Sequence, residues 1–315
     1  MTEMTTTRTN LPTLMARLIP AARPFALYLA ALLALSCLMP AVAPAQAPSN
    51  IGFDIEVSRQ ESIYHGRGKQ RPDGYVIDRA LDAYAHALAP GFAQFLNRLG
   101  PQDRWLDIGA GRGLAILDYY SDAQGGAPAA KASAVAMSIE DRRNEQWQMT
   151  EARLPPGKLR YIHDRRLREY SSAELGRFQL ITDVIGGFSY TEDLSLFMET
   201  VLGLLTVNGQ LYTVLQDVRQ EQGGNKPHYP GAPFLTEIRE NGKDIGACAW
   251  LKRISCVEVS CHAKADWEPP IESYRVQKVC EAVSVPKLQR RHFTSGTPPE
   301  RSFTLATPEK TSPGP

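Results

Sequence analysis

The sequence has almost no excess of charge of either sign. It carries 35 Lys and Arg residues against 34 Asp and Glu residues, for a formal net charge of +1 in 315 residues. This balance gives no reason to expect nucleic acid or an anionic membrane surface as a partner. Hydrophobic residues make up 43% and charged residues 22% of the chain, which is typical of a globular protein. The length suits one large domain or two small ones.

Cysteine is also scarce, and the close C-x-x-C pairs typical of zinc sites are absent. No metal site is therefore predicted. Cys37 lies near the N-terminus, whereas Cys248, Cys256, Cys261 and Cys280 all fall in the last quarter of the chain. These four cysteines either form two disulfides, in one of three possible connectivities, or stay reduced. The N-terminal segment favours disulfides.

That segment lacks an apolar run as long as the roughly 20 residues of a typical membrane-spanning helix. A nearly all-apolar run covers residues 25–39, follows a basic stretch and precedes the small-residue site Ala45-Gln46-Ala47. This order is typical of a secretory signal peptide, so residues 1–47 are predicted to direct export to the periplasm or the medium. Two alternatives stay open. One is an uncleaved membrane anchor, and the other is a mis-annotated start with a cytoplasmic protein.

Residues 48–72 are polar and irregular and are interpreted as a lead-in loop. The basic part from Tyr64 to Arg71 is either solvated loop or a flap over a cofactor or substrate. Apolar residues at helical spacing then predict helices over 73–88 and 92–99.

From residue 104 onward, strand-like and helix-like segments alternate. The predicted strands are 104–108, 133–139, 159–163, 178–185 and 210–215, and the predicted helices are 112–120, 142–153 and 193–205. This alternation indicates an α/β protein with a doubly wound, mostly parallel sheet and helices on both faces. A ligand is then expected at the carboxyl ends of the strands, where the strand order reverses.

The C-terminal part does not continue this alternation. Residues 221–233 are predicted to form a loop, and a helix is predicted within 234–251. The Val-rich segments 256–261 and 273–285 predict an antiparallel pair of strands at the edge of the sheet. The main domain is predicted to span 73–290, and the Pro- and Ser-rich residues 291–315 to form a partly disordered tail.

Three alternating glycines follow the first predicted strand, in Asp107-Ile108-Gly109-Ala110-Gly111-Arg112-Gly113. Glycine lets the backbone approach a ligand closely, and a helix start offers unpaired N–H groups. The spacing fits neither G-x-G-x-x-G, whose last glycine position holds Leu114, nor the phosphate loop G-x-x-x-x-G-K-[ST]. It therefore favours a cofactor without a pyrophosphate.

The stretch resembles the first motif of class I S-adenosylmethionine-dependent methyltransferases, acidic-x-Gly-x-Gly-x-Gly after a strand, at every fixed position. The broader resemblance covers roughly residues 72–285, including 178–183 and Asn208-Gly209-Gln210-Leu211. It implies a Rossmann-like methyltransferase fold whose two late strands are antiparallel. It also implies S-adenosyl-L-methionine as the cofactor and methyl transfer to an acceptor that the sequence does not identify.

The resemblance also implies which residues contact the cofactor. Gly109, Gly111 and Gly113 would line its methionine and ribose portions, and Asp107 would lie near its amino end. Glu140 would accept from the ribose hydroxyls, although a strict alignment places this role at Ser138. Asp164 would face the adenine amino group, and Asp183 would lie where the methyl group is transferred.

Each carboxylate has a structural alternative. Glu140 or Asp141 would serve as a carboxylate at a helix N-terminus, and Asp164 would pair with Arg165 or Arg166. Asp183 would be a purely structural residue of its strand.

The acceptor is predicted to be a small molecule or a lipid. No Asn/Asp-Pro-Pro-aromatic motif follows the fourth strand, which argues against the amino groups of nucleic-acid bases as acceptors, as in the families with that motif. His163, Tyr190 and His228 are candidate general bases, and each is as readily structural. Two other hypotheses are an exported, non-catalytic binding protein with a cofactor fold and an exported domain in which the cysteines matter more than the glycines. A membrane contact is expected only through an uncleaved N-terminal segment.

Overall fold

The computed structural model describes residues 78–121, 126–215, 235–264, 271–294 and 300–306. The predictions for 1–47, for the lead-in loop 48–72, for the loop 221–233 and for His228 lie outside these residues. Within them, no helix is long and apolar enough to cross a membrane.

Eight α-helices and eleven strands are found in the described part of the chain. The helices are α1 Leu81–Ala87, α2 Phe92–Arg98, α3 Leu114–Tyr119, α4 Glu145–Arg153, α5 Ser172–Leu175, α6 Gly187–Tyr190, α7 Leu194–Leu204 and α8 Gly246–Leu251. The strands are β1 Arg104–Ile108, β2 Ser133–Met137, β3 Leu159–Ile162, β4 Phe178–Asp183, β5 Leu205–Leu215, β6 Leu235–Glu240, β7 Lys243–Asp244, β8 Val257–Lys264, β9 Ile271–Lys278, β10 Leu288–Thr294 and β11 Glu300–Leu305.

Seven strands form the main sheet in the order β3-β2-β1-β4-β5-β9-β8. The first five are parallel to one another, whereas β9 runs antiparallel to β5 and to β8. This confirms the predicted doubly wound, mostly parallel sheet with an antiparallel edge pair. The order reverses between β1 and β4, so their carboxyl ends are where a ligand is expected.

Side chains that alternate along the central strands build an apolar core on each face of this sheet. Leu106 and Ile181 lie on the face covered by α7, and Trp105 and Leu180 lie on the face covered by α1 and α3. Burial of one large apolar side chain contributes roughly 1.5–3 kcal/mol. The two cores therefore fix β1 and β4 rigidly between helical layers.

Two helices begin later than the apolar spacing predicts, because polar residues at their starts make local hydrogen bonds. The Asn144 side chain accepts from the Trp147 N–H at 3.0 Å, so α4 begins at Glu145 rather than at residue 142. Asp193 likewise caps α7 by accepting from Leu196 N at 2.9 Å.

A second sheet, with strand order β10-β11-β6-β7, was not predicted. Within it, β11 is parallel to β6 and antiparallel to β10. The boundary predicted at residue 290 is therefore wrong, because regular structure continues to Leu305. Similarly, the helix predicted within 234–251 is restricted to α8, since β6 and β7 precede it.

Two disulfides connect the elements at the sheet edge. Cys248–Cys261 joins α8 to β8, with the Cα atoms 6.1 Å apart. Cys256–Cys280 joins the residue before β8 to the turn after β9, with the Cα atoms 5.1 Å apart. Both separations suit a disulfide. The structure thus selects one of the three possible connectivities.

Candidate cofactor site

The glycine turn lies at the carboxyl end of β1, next to the point where the strand order reverses. Gly109, Gly111 and Gly113 have φ angles of 73°, 57° and 75°, which other residues adopt only at a cost. A Cβ added at Gly109 would lie 2.8 Å from the Cα of Gly186, and one added at Gly113 would lie 2.5 Å from the Trp147 ring. Glycine is therefore required by both conformation and space.

Hydrogen bonds from three directions hold this turn. Ala110 N donates to Met137 O of β2 at 3.0 Å, and Arg112 N donates to Asp78 Oδ1 at 2.9 Å. The Tyr161 hydroxyl on β3 donates to Gly111 O at 2.5 Å. Asp78 and Tyr161 were not predicted as site residues, because only the tertiary fold brings them to the turn.

Asp107 is completely buried on β1 below this turn. The Tyr84 hydroxyl on α1 donates to both of its oxygens, at 2.9 and 3.1 Å, and the Thr182 hydroxyl donates to Oδ1 at 2.7 Å. Burial raises the pKa of Asp107 to about 7. Its carboxylate is thus engaged within the protein and has no exposed surface, so a direct contact with a cofactor amino group would require the residues that cover it to move.

Asp183, at the end of β4, is also completely buried. Its Oδ2 accepts from Thr213 Oγ1 at 2.8 Å and from Phe188 N at 3.0 Å, while Oδ1 has no hydrogen-bond partner among the described residues. Burial raises the pKa of this carboxyl to about 7. Asp183 therefore holds the start of α6, which is the structural role kept open for it.

We expect the free energy of unfolding to fall as the pH rises from about 4 to about 7. In this window Asp107 and Asp183 keep their protons in the folded protein but lose them in the unfolded chain, since the ordinary pKa is 3.8. The folded state then binds more protons, so raising the pH favours unfolding by on the order of 1 kcal/mol per pH unit for each carboxyl. Urea denaturation at pH 5, 6, 7 and 8 measures this slope.

The matched variant for that experiment is Asp183→Asn, which should show a shallower dependence on pH. The exposed ion pair between Asp141 and Arg143 does not contribute to this dependence on pH. Hydrogen bonds from Arg143 lower the pKa of Asp141 to about 2, so its contribution is lost only below the measured window. Equal slopes in the wild type and the variant would contradict the expectation.

The predicted ribose and adenine residues lie at the carboxyl ends of β2 and β3. Glu140 is partly exposed and pairs with Arg142 at 3.3 Å. Asp164 is 76% exposed and lies 2.6 Å from His163 Nδ1, whereas Arg165 pairs with Glu174 instead.

Asp141 does not occupy a helix N-terminus, since α4 begins at Glu145. It pairs with Arg143 at 2.6 Å, and its Oδ2 lies 3.6 Å from His163 Nε2. The candidate base His163 therefore lies between two carboxylates. Tyr190 is in α6, directly after the β4 turn.

Ile139, immediately before Glu140, exposes 57% of its surface. An apolar side chain that is so exposed at the carboxyl edge of the sheet offers a surface on which the planar ring of a ligand can pack. The exposure of Ile139 could have been inferred from the sequence. Two acidic residues follow it directly, and a buried strand rarely ends in this way.

We expect Tyr84→Phe to lower the free energy of unfolding by about 1–3 kcal/mol, because the variant removes a donor from the buried Asp107 carboxyl. Tyr170→Phe is the matched control, since its hydroxyl makes only a long, 3.4 Å contact with His163 O near the surface. Urea denaturation at pH 8 compares the two. An equal loss of unfolding free energy in both variants would contradict a stabilising role of the Tyr84–Asp107 hydrogen bonds.

Scans against protein-family models and curated proteins find no match. Among solved structures, the chain is similar to the CurJ carbon methyltransferase, with 16% identity over 59% of this chain and 51% of that one and a TM-score of 0.40. It is similar to the N-methyltransferase NodS from Bradyrhizobium japonicum, with 13% identity, 64% and 97% coverage and a TM-score of 0.38.

A third similar structure is phosphoethanolamine N-methyltransferase 2 from Haemonchus contortus in complex with S-adenosyl-L-methionine. The identity is 9%, the coverage is 60% of this chain and 52% of that one, and the TM-score is 0.40. This chain thus spans about half the length of the first and third proteins. The mostly parallel sheet of the chain, with its antiparallel edge pair, agrees with the Rossmann-like fold that the resemblance implies.

Proposed function

We propose that the protein is an S-adenosyl-L-methionine-dependent methyltransferase that acts on a small molecule or a lipid. One observation carries the proposal. The acidic-x-Gly-x-Gly-x-Gly stretch forms a strand, a turn and a helix start at the carboxyl end of β1, and all three glycines have positive φ angles. A turn of this kind presents backbone rather than side chains to a ligand.

The residues around the turn fit an adenosine group. Its hydroxyls and its amino group need acceptors, and the partly exposed carboxylate of Glu140 and the exposed carboxylate of Asp164 lie at the neighbouring strand ends. Its ring needs an apolar surface, which Ile139 supplies. The backbone at Gly109 is exposed beside them.

S-adenosylmethionine, when bound, supplies a methyl group that is already activated on sulfur. The chain then has to hold the acceptor in line with it and exclude water, which is mainly a matter of positioning. An acceptor that loses a proton also needs a base. Tyr190 is the better placed candidate, because α6 follows β4 directly, whereas His163 lies with the carboxylates on the proposed adenosine side.

Transfer of a labelled methyl group tests this proposal. The full chain is incubated with methyl-labelled S-adenosylmethionine and, separately, with lipid, small-molecule, protein and nucleic-acid fractions. We expect label in the lipid or small-molecule fraction with the wild type and none with Gly109→Ala. Label in the protein or nucleic-acid fraction alone would contradict the acceptor class, and cofactor binding without any transfer would favour the non-catalytic binding protein.

We further propose that the protein is exported. The two disulfides support this, because disulfides persist in oxidising compartments outside the cytoplasm. A reporter enzyme that is active only in the cytoplasm, fused after Ala306, should be inactive. A fully active fusion would contradict export. Since the cofactor is made in the cytoplasm, an exported enzyme would also need a route by which the cofactor reaches it.

A further inference from the structure

Arg301 lies on β11 of the second sheet, and only 1% of its surface is exposed. A buried guanidinium is costly unless hydrogen bonds satisfy it. Its Nε donates to Thr236 Oγ1 at 2.8 Å. Its two terminal nitrogens donate to backbone carbonyls, Nη1 to Thr191 O at 2.6 Å and Nη2 to Phe188 O at 2.9 Å.

Both carbonyls belong to α6 or to the residue that follows it. Asp183 accepts from Phe188 N at the start of this helix, so a carboxyl lies at one end and a cation at the other. The short helix is therefore held at both ends, from β4 of the main sheet and from β11 of the second sheet.

The residue before α6 is Gly186, which lies against the glycine turn. A Cβ added at Gly109 would lie 2.8 Å from the Cα of Gly186, so the two backbones are in direct contact. A displacement of α6 would displace Gly186 and remove the surface on which Gly109 rests. The candidate base Tyr190 would move with the same helix.

We propose that Arg301 is a positioning residue for the cofactor site, and that the second sheet supports cofactor binding through it. The inference rests on the proposed function. Arg301 holds α6, α6 holds Gly186, and Gly186 supports the turn at Gly109. Loss of the guanidinium should therefore weaken the glycine turn as well as the fold.

The test compares Arg301→Met and Arg301→Lys with Arg291→Met, a matched control on β10 of the same sheet whose side chain is exposed. Equilibrium dialysis with labelled S-adenosylmethionine is done well below each melting temperature, so that only folded protein is measured. We expect about tenfold weaker binding or worse for Arg301→Met and a change of less than about twofold for the control. Added guanidinium ion should restore part of the affinity of Arg301→Met.

Hydrogen exchange at the amides of residues 109–113 supplies a second measurement that needs no cofactor. We expect faster exchange in both Arg301 variants and no change in Arg291→Met. Variants that melt at lower temperature but keep wild-type exchange in the turn and wild-type affinity would overturn the inference. If the wild type does not bind the cofactor, the proposed function fails, and the exchange result still decides the role of Arg301.

Discussion

Gly109→Ala is expected to reduce S-adenosylmethionine affinity at least about 100-fold, which corresponds to about 2.7 kcal/mol. Residue 109 has a φ of 73°, where a side chain costs roughly 1–2 kcal/mol. In addition, the new Cβ would lie 2.8 Å from the Cα of Gly186. No rotation of a side chain can relieve a contact with backbone, so the turn itself has to move.

Gly157→Ala separates conformational strain from this overlap. Gly157 has a φ of 77°, but a Cβ there meets no atom within 4 Å. We expect a stability loss of about 1 kcal/mol from strain and unchanged cofactor affinity. Equilibrium dialysis and urea denaturation of both variants measure the two effects. Wild-type affinity in Gly109→Ala would show that the turn is not the binding element.

Removing the Cys256–Cys280 disulfide by Cys256→Ser with Cys280→Ser should lower the free energy of unfolding by about 3.5 kcal/mol. The two residues are 24 apart in sequence, and closing a loop of that size restricts the unfolded chain by about this amount. The bond also joins the start of β8 to the end of β9. A loss of this size is a large part of the stability of a typical domain.

Urea denaturation under oxidising conditions measures this loss. The control is the same measurement under reducing conditions, in which the disulfides are open and the wild type and the double variant should have similar denaturation midpoints. Removing Cys248–Cys261, with a separation of 13, should cost slightly less, about 3 kcal/mol. A double Ser variant as stable as the wild type would contradict the role of the Cys256–Cys280 bond.

The main sheet could be predicted from the sequence because the patterns that indicate its strands and helices lie within short stretches of the chain. Each of the strands β1–β4 is followed by a helix or a glycine turn, so the period of the apolar residues changes within a few positions. The glycine motif is equally local. Its three glycines and the acidic residue before them occupy adjacent positions in the sequence, so the turn can be recognised there.

The second sheet could not be predicted in this way. Its strands β6 and β11 pair across the whole C-terminal part of the chain, and β11 includes the buried Arg301 where a core-facing apolar residue is expected. The segment thus resembled a polar tail.

The same limit applies to the partners of the site. Asp107 was predicted as an acceptor, but its donors Tyr84 and Thr182 come from α1 and β4. Asp78 and Tyr161 hold the glycine turn from other parts of the chain. The sequence was sufficient to locate the turn. Only the fold shows which groups hold the turn and that the Asp107 carboxyl already accepts hydrogen bonds from the protein.

Binding of S-adenosylmethionine to the full, oxidised chain tests the central claim most directly. Equilibrium dialysis with the labelled cofactor, and competition by S-adenosylhomocysteine, should show one saturable site in the wild type and in Gly157→Ala, and none in Gly109→Ala. No binding by the wild type, or equal binding by the wild type and Gly109→Ala, would contradict the account of the glycine turn as a cofactor site.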